Sequence, residues 1–377
     1  MNLYEDKFRF LNYNLKKYNW RLLLLVLIAT VLGLFVIESA ADGYSRKQLI
    51  GLIAGLAALI IVSFIDYNFI LKFHWPIYLT AVAMLLAVLF FGVNVNGARR
   101  WFSLGSFGTI QPSEFTKIMM IVVLTQLILN HRGQISQLKT LLIIGVIYMI
   151  PVFLIYKEPN MSTTLVYLFI FAMMIFCGGL SYKFIGRVFL FAVPVIGFLV
   201  WYIQQPFQIL LHGYQLNRIL AFLNPSEYQQ TTANQQYNSV MAIGSGMITG
   251  KGLNNNTFTS VKGGNFISEQ QTDFIFSVIG EELGFIGSCF TILLIVAIVY
   301  ECLKVAKNAS NMGGRLIASG IASMIAFQSF VNIGVATNLL PNTGLPLPFI
   351  SYGLSALLAN MVGIGIVINI DLQKGRR

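Results

Sequence analysis

Glu269-Gln270-Gln271-Thr272-Asp273 closes a long polar stretch, and Phe274-Ile275-Phe276-Ser277-Val278-Ile279-Gly280 opens an apolar run straight after it. A carboxylate at the mouth of a membrane helix is costly to keep and is by default a functional candidate. Asp273 would sit at the water–lipid boundary, where a lipid-carried substrate could meet a base. Thr272 and Asp273 also sit where a helix N-cap would, and capping alone accounts for such residues. Glu281 and Glu282 lie two turns further in, and one of them is expected to face the bundle interior and hydrogen-bond there.

Cations that could meet an anionic group are spread over several segments. Arg99-Arg100-Trp101 follows Gly97-Ala98. Guanidinium offers forked donors to phosphate, and a tryptophan sits well at headgroup level; an interfacial anchor reads equally well. Arg218, Lys251 and Lys262 are scattered through the polar stretch. Gly250-Lys251-Gly252 lacks the spacing of a phosphate loop, although glycines would let backbone amides approach an anion. Pro112-Ser113-Glu114 has the form of a helix start, and Glu114 and Lys117 share one helix face. That pair is either a structural ion pair or the lining of an interior cavity. Leu340–Gly353 carries three closely spaced prolines, so it cannot be a regular helix. Irregular backbone at membrane depth survives only inside protein or beside a watery cavity, which makes this segment, with Ser351 in it, a candidate cavity wall.

The elements that hold these residues are membrane helices. The 377 residues are 56% hydrophobic and only 10% charged, with a mean hydropathy of +0.73. Soluble domains are about 45–50% apolar and about a quarter charged. Ten spans are expected, at about 21–39, 47–65, 73–92, 113–130, 140–157, 161–178, 184–203, 273–301, 315–336 and 351–370. The reading is an all-α polytopic membrane protein forming one domain over 1–377, with tails at 1–20 and 371–377 and a large extracellular loop at 204–272 between spans 7 and 8. That loop is expected to be partly ordered against the membrane surface. With both termini cytoplasmic, 16 of the 25 lysines and arginines fall on the inner side. The net charge of +11 therefore reads as membrane topology, not nucleic-acid binding. Three cysteines and three isolated histidines have no ligand-like spacing, so neither a disulfide framework nor a metal site is expected.

Gly97–Lys117, Ala242–Gly252, Glu269–Gly287 and Asn332–Gly353, in this order on a ten-span layout, resemble the SEDS family (shape, elongation, division and sporulation), most closely its RodA branch beside FtsW and SpoVE. The resemblance covers nearly the whole chain. It implies a peptidoglycan glycosyltransferase that polymerises lipid II outside the bacterial cytoplasmic membrane, working with a class B penicillin-binding protein. It matches Asp273 to the family's essential aspartate, and Glu114 and Lys117 to its Glu–Lys pair. Arg99, Arg100, Trp101, Arg218, Lys251, Lys262, Glu269 and Ser351 are then candidate substrate-binding residues. A divalent cation, Mg or Mn, bridging Asp273 and pyrophosphate is compatible with this chemistry, though the chain shows no preformed ligand cluster.

The chain departs from the family pattern at three places. A usual Gln-Pro-Asp-Leu-Gly-Thr reads Glu158-Pro159-Asn160-Met161-Ser162-Thr163, a usual Pro-Glu reads Ser268-Glu269, and a usual Ser-Tyr-Gly-Gly-Ser reads Ser351-Tyr352-Gly353-Leu354-Ser355. Asn160 cannot serve as a carboxylate base. On bare physics a lipid II flippase or a non-catalytic scaffold would also fit ten spans and a polar cavity. Transporters often carry inverted repeats, and this sequence shows no convincing one.

Overall fold

The computed structural model describes residues 18–41, 43–95, 98–103, 105, 108–205, 213–223, 234–254, 260, 264 and 267–374. The chain is an all-α polytopic membrane protein. Its spanning helices are α1 (Trp20–Ala40), α2 (Tyr44–Ser63), α4 (His74–Phe91), α5 (Pro112–Asn130), α6 (Leu138–Lys157), α7 (Met161–Cys177) and α8 (Tyr182–Ile203). A short α3 (Tyr67–Lys72) lies between α2 and α4, and α9 (Gly213–Leu223) and α10 (Asn234–Ser245) occupy the large polar stretch. The remaining helices are α11 (Ile275–Asn308), α12 (Met312–Ala336) and α13 (Leu354–Leu372). Among the described residues nine helices are long and apolar enough to cross a membrane, and α7 is a shorter apolar helix. Together they match the ten expected spans.

Side-chain caps mark several of the starts. Asn19, Asn160, Ser181 and Asn311 each accept a hydrogen bond from a backbone amide three residues on, which satisfies a donor the helix itself leaves unpaired. Pro112 sits in the first turn of α5, as its missing N–H allows. The hairpin between α6 and α7 turns through Glu158-Pro159-Asn160.

Most of α5, α12 and α13 is enclosed, and these helices form the centre. α2 packs along α13, α11 along α12 and α1, and α7 and α5 against α12. Large apolar side chains such as Phe35, Phe90, Phe285 and Phe330 are exposed, as a hydrocarbon surround allows. α8 is the most exposed of the long helices.

Two features depart from a plain bundle. The segment between α4 and α5 folds into a small antiparallel sheet, β1 (Val93–Val95), β2 (Ala98–Ser103) and β3 (Thr109–Ile110), in the order β1-β2-β3. Arg99 pairs with Asn94 and Trp101 with Val93. Three strands this short give too little alternation to stand out in a sequence.

The second departure is a break in α11 at Gly284 (φ 65°, ψ −160°). The turn after α10 crosses this break. Lys251 and Gly252 donate their amides to the carbonyls of Glu281 and Glu282 at 3.0 and 2.9 Å, and the Phe285 amide donates to Met247 at 2.9 Å. The freed backbone groups are thus paired inside protein, the condition for irregular backbone at this depth. A Cβ on Gly250 would lie 2.1 Å from the Glu282 carbonyl oxygen, and one on Gly284 2.3 Å from the Gly250 amide nitrogen. Gly250 therefore allows two backbones to cross; it does not open a loop toward an anion.

Gly284→Ala is expected to cost about 1–3 kcal/mol from the backbone conformation alone, with the clash adding to it. Thermal unfolding of the detergent-solubilised protein, followed by size-exclusion, checks this; an unchanged Tm would contradict the crossing.

Candidate functional site

α11 is preceded by a tight turn, not a capped helix end. Phe274 occupies the cap position, and no side chain caps the helix. The amides of Thr272 and Asp273 donate to the Glu269 carbonyl at 3.1 and 3.2 Å, and Thr272 Oγ1 donates to the same oxygen at 3.0 Å. Neither Thr272 nor Asp273 is the cap their sequence position suggested. Glu269, at the head of the turn, holds φ 56°, a left-handed conformation that non-glycine residues seldom adopt.

The irregular segment after α12 clamps this turn. Ser351 Oγ donates to the Thr272 carbonyl at 2.6 Å and accepts from the Leu347 amide at 2.8 Å. The Tyr352 amide donates to the Gln271 carbonyl at 2.9 Å. Asn332 Nδ2, from α12, donates to the carbonyls of Asp273 and Leu345 at 2.8 and 2.7 Å. Gln48, from α2, brackets the far side through the Ser351 carbonyl and the Gly353 amide. Gly344 (φ +74°) lies so close that a Cβ there would be 3.1 Å from Asp273 Oδ2. The proline-rich segment is thus the wall against which Asp273 rests.

Asp273 itself is half-buried. Burial pushes its carboxyl up from the ordinary range to about 6; Arg218 opposes the rise, Glu269 adds to it and Arg100 opposes it. Arg218, on α9, donates from Nη1 to the Asn342 carbonyl at 3.1 Å. Arg100, on β2, donates from Nε to the Glu158 carbonyl at 2.9 Å and from Nη2 to the Pro159 carbonyl. Its guanidinium carbon lies 5.9 Å from the centroid of the Trp101 ring. The α6–α7 hairpin reaches the same wall, because Ser162 Oγ donates to the Thr343 carbonyl.

The structure therefore gathers Asp273, Glu269, Arg218, Arg100, Trp101 and Ser351 around one turn and its wall. Arg99 lies on the exposed side of β2. Lys251 is held elsewhere: its ammonium pairs with Glu281 at 2.7 Å beside the break in α11. Glu282 is buried too and accepts from Ser39 Oγ, so both glutamates face inward where one was expected to. Lys262 lies outside the described residues. Glu114 and Lys117 form a buried ion pair of 2.8 Å on α5.

Asn160 caps α7 by accepting from the Thr163 amide at 3.2 Å, a task aspartate and asparagine share. Asn332, Gln48 and Glu158 are residues that sequence reasoning left without a role at the site. Asn332 and Gln48 act through backbone carbonyls and amides, contacts that leave no spacing pattern. Among the described residues no three His, Cys, Asp or Glu side chains gather in metal-binding distance. A divalent cation at Asp273 would draw its protein carboxylates from Asp273 and Glu269 and depend on oxygens of the substrate.

With this geometry the chain can be set beside known proteins. The family model described as cell cycle protein (FtsW, RodA, SpoVE) matches residues 18–376. The chain is 34% identical over 373 residues to the probable peptidoglycan glycosyltransferase FtsW of Trichlorobacter lovleyi, covering 95% of this chain and 94% of the relative. It is 32% identical to the peptidoglycan glycosyltransferase MrdB of Escherichia coli, covering 94% of this chain and 93% of the relative. The solved rod shape determining protein RodA of Thermus thermophilus superposes with a TM-score of 0.69 at 26% identity, over 96% of this chain and 98% of that one. A chain from a peptidoglycan synthase complex that coordinates polymerization and crosslinking superposes at 0.79 with 28% identity, over 96% and 99%. The chain belongs to the FtsW/RodA/SpoVE family, the SEDS proteins. Identities of 34% to an FtsW, 32% to MrdB and 31% to a stage V sporulation protein E do not separate its branches.

Removing one partner of the buried Glu114–Lys117 pair, as in Lys117→Ala, is expected to cost about 3–5 kcal/mol, because an uncompensated charge stays inside. The double variant Glu114→Leu/Lys117→Met should recover most of that stability. Thermal unfolding of the three proteins checks it. Recovery of stability without recovery of activity would assign the pair a part beyond packing.

Proposed function

We propose that this chain is a peptidoglycan glycosyltransferase that polymerises lipid II into β-1,4 glycan at the outer face of the bacterial cytoplasmic membrane. One observation carries the reading: a half-buried carboxylate, raised to about 6, stands near two guanidinium groups on a clamped turn. A base with that value is ionised at neutral pH and still basic enough to accept a proton. The names of the relatives give the same class of reaction.

In this reading Asp273 takes the proton from the 4-hydroxyl of the acceptor GlcNAc. That oxygen attacks the anomeric carbon of the donor sugar. The bond to the donor's pyrophosphate breaks, and an α linkage becomes β. Arg218 and Arg100 offset the charge that develops on the departing pyrophosphate. Both are already anchored to backbone carbonyls of the wall and the hairpin, so little reorganisation is required. Lipid tails confine donor and acceptor to the membrane plane, which supplies proximity. Glu269, Trp101 and Arg99 line the approach; Ser351 positions the turn.

The outer location of the site, with both termini cytoplasmic, follows from the bias of basic residues toward the opposite side. The chain forms one domain, with 204–272 as its extracellular segment. A class B penicillin-binding protein is the partner that would crosslink the product, and the elongation branch is the role the motifs favour. The carrier reading finds less support, since the break in α11 is bridged by the backbone of Met247–Gly252.

Asp273→Ala, and Asp273→Asn as the closer isostere, are expected to lower polymer formation from labelled lipid II by at least about 10³-fold, the scale of losing a general base together with its electrostatic part. Size-exclusion would show both variants folded. Full-length glycan from folded Asp273→Ala protein refutes the assignment. Translocation of lipid II in liposomes without polymer by the wild type would make the chain a carrier, and neither activity with partner binding intact would make it a scaffold.

A further inference from the structure

Among the described residues the Glu158 side chain has no hydrogen-bond partner. It is 0% exposed, and both of its carboxyl oxygens are buried without a hydrogen bond. A buried polar group left unpaired is expensive, and an ionised one far more so. Its own backbone carbonyl, by contrast, accepts from Arg100 Nε at 2.9 Å, and the next carbonyl, of Pro159, accepts from Arg100 Nη2. The guanidinium therefore sits on the backbone of the very residue whose carboxyl goes unpaired.

Arg100, from β2, is the cation that acts on Glu158. From α7 comes Tyr167, whose hydroxyl is 2.6 Å from Thr116 Oγ1, and from α6 comes Tyr148, which donates to the Tyr167 carbonyl at 3.0 Å. On α5, Glu114 and Lys117 neutralise each other. Lys157, the neighbour in sequence, lies 5.4 Å from the Phe153 ring. Asp273 shares Arg100 with Glu158 as an electrostatic neighbour.

We propose that Glu158 is a positioning residue for Arg100: protonated, it leaves the guanidinium on the two hairpin carbonyls beside the Asp273 turn; ionised, it draws the guanidinium onto its own carboxylate and away from the site. The proton passes to bulk water, and the pair that forms is charged on both partners, whereas the two bonds to carbonyls it replaces are charged on the guanidinium alone. Burial pushes the Glu158 carboxyl up to about 8 against the opposing pull of Arg100. The neutral form therefore prevails at neutral pH, and the ionised form gains as pH rises through that value. The consequence for activity rests on the function proposed above; the movement of Arg100 does not.

Trp101, beside the guanidinium, reports on it directly. With Trp20, Trp75 and Trp201 replaced by phenylalanine, Trp101 is the remaining tryptophan of four. Its fluorescence in the purified protein is expected to titrate between pH 6 and 10 with a midpoint near 8, and the titration should vanish in Glu158→Gln. Arg100→Lys, which keeps the charge but loses the fork, should blunt it too. No titration in the single-tryptophan protein, or one unchanged by Glu158→Gln, overturns the proposal. In polymerisation, Glu158→Gln at pH 9 should show about tenfold higher kcat/KM than the parent, carried by kcat, because Arg100 acts on charge that develops as the bond breaks. Basic limbs that coincide would overturn the coupling to the site. A Trp101 titration of the expected form, with no polymer from any variant, would refute the polymerase reading and leave the Glu158–Arg100 exchange standing.

Discussion

A carboxylate held half out of water needs walls that do not themselves leave backbone groups bare. In this protein the wall is the irregular chain after α12, and the whole site depends on how its polar groups are paired. Ser351 fastens it to the Thr272 carbonyl, Tyr352 to Gln271, and Asn332 joins Asp273 to Leu345. Each of these bonds joins one irregular segment to another or to a helix end. The arrangement stands as a unit: release of the wall would free both Asp273 and the carbonyl that holds Arg218. The raised affinity of Asp273 for its proton is a consequence of that enclosure, since burial outweighs two nearby cations.

A second constraint runs through the break in α11. Glu281 and Glu282 sit at this interruption, and both are buried. Lys251 answers one and Ser39 the other. The turn that carries Lys251 therefore ties α10 to the helix that follows Asp273. Gln236 and Ser239 on α10 reach the carbonyls of Val335 and Ala336 at the end of α12 and of Leu340 just after it. The polar stretch is in this way part of the scaffold around the site, at least over α9, α10 and the turn that follows.

Much of this was legible in the residues. Apolar run length marked the helices, because a membrane span must satisfy its backbone internally and shed its charges. Pro112 and Glu114 marked the start of α5, and the prolines after Pro341 marked the wall. Asp273 stood out because an acid at that depth is rare. What stayed hidden was contact across distance. Lys251 read as a candidate substrate ligand in sequence, and its partner Glu281 lies 30 residues on. Ser351 read as a substrate ligand, whereas its hydroxyl is engaged on both sides by backbone. The three-strand sheet was missed because its strands are two to six residues long. Glu158 drew notice only as a departure from a motif; that its carboxyl is enclosed and, among the described residues, without a hydrogen bond is a property of the fold.

The pH dependence of kcat/KM for glycan synthesis from lipid II tests the central claim most directly. If Asp273 is the base, activity falls as pH drops through about 6, where the carboxylate takes up a proton. Arg218→Gln, by removing a cation that favours the charged form, moves that limb to higher pH. A profile that is flat between about pH 5 and 7, or an acid limb that Arg218→Gln leaves in place, would contradict the account.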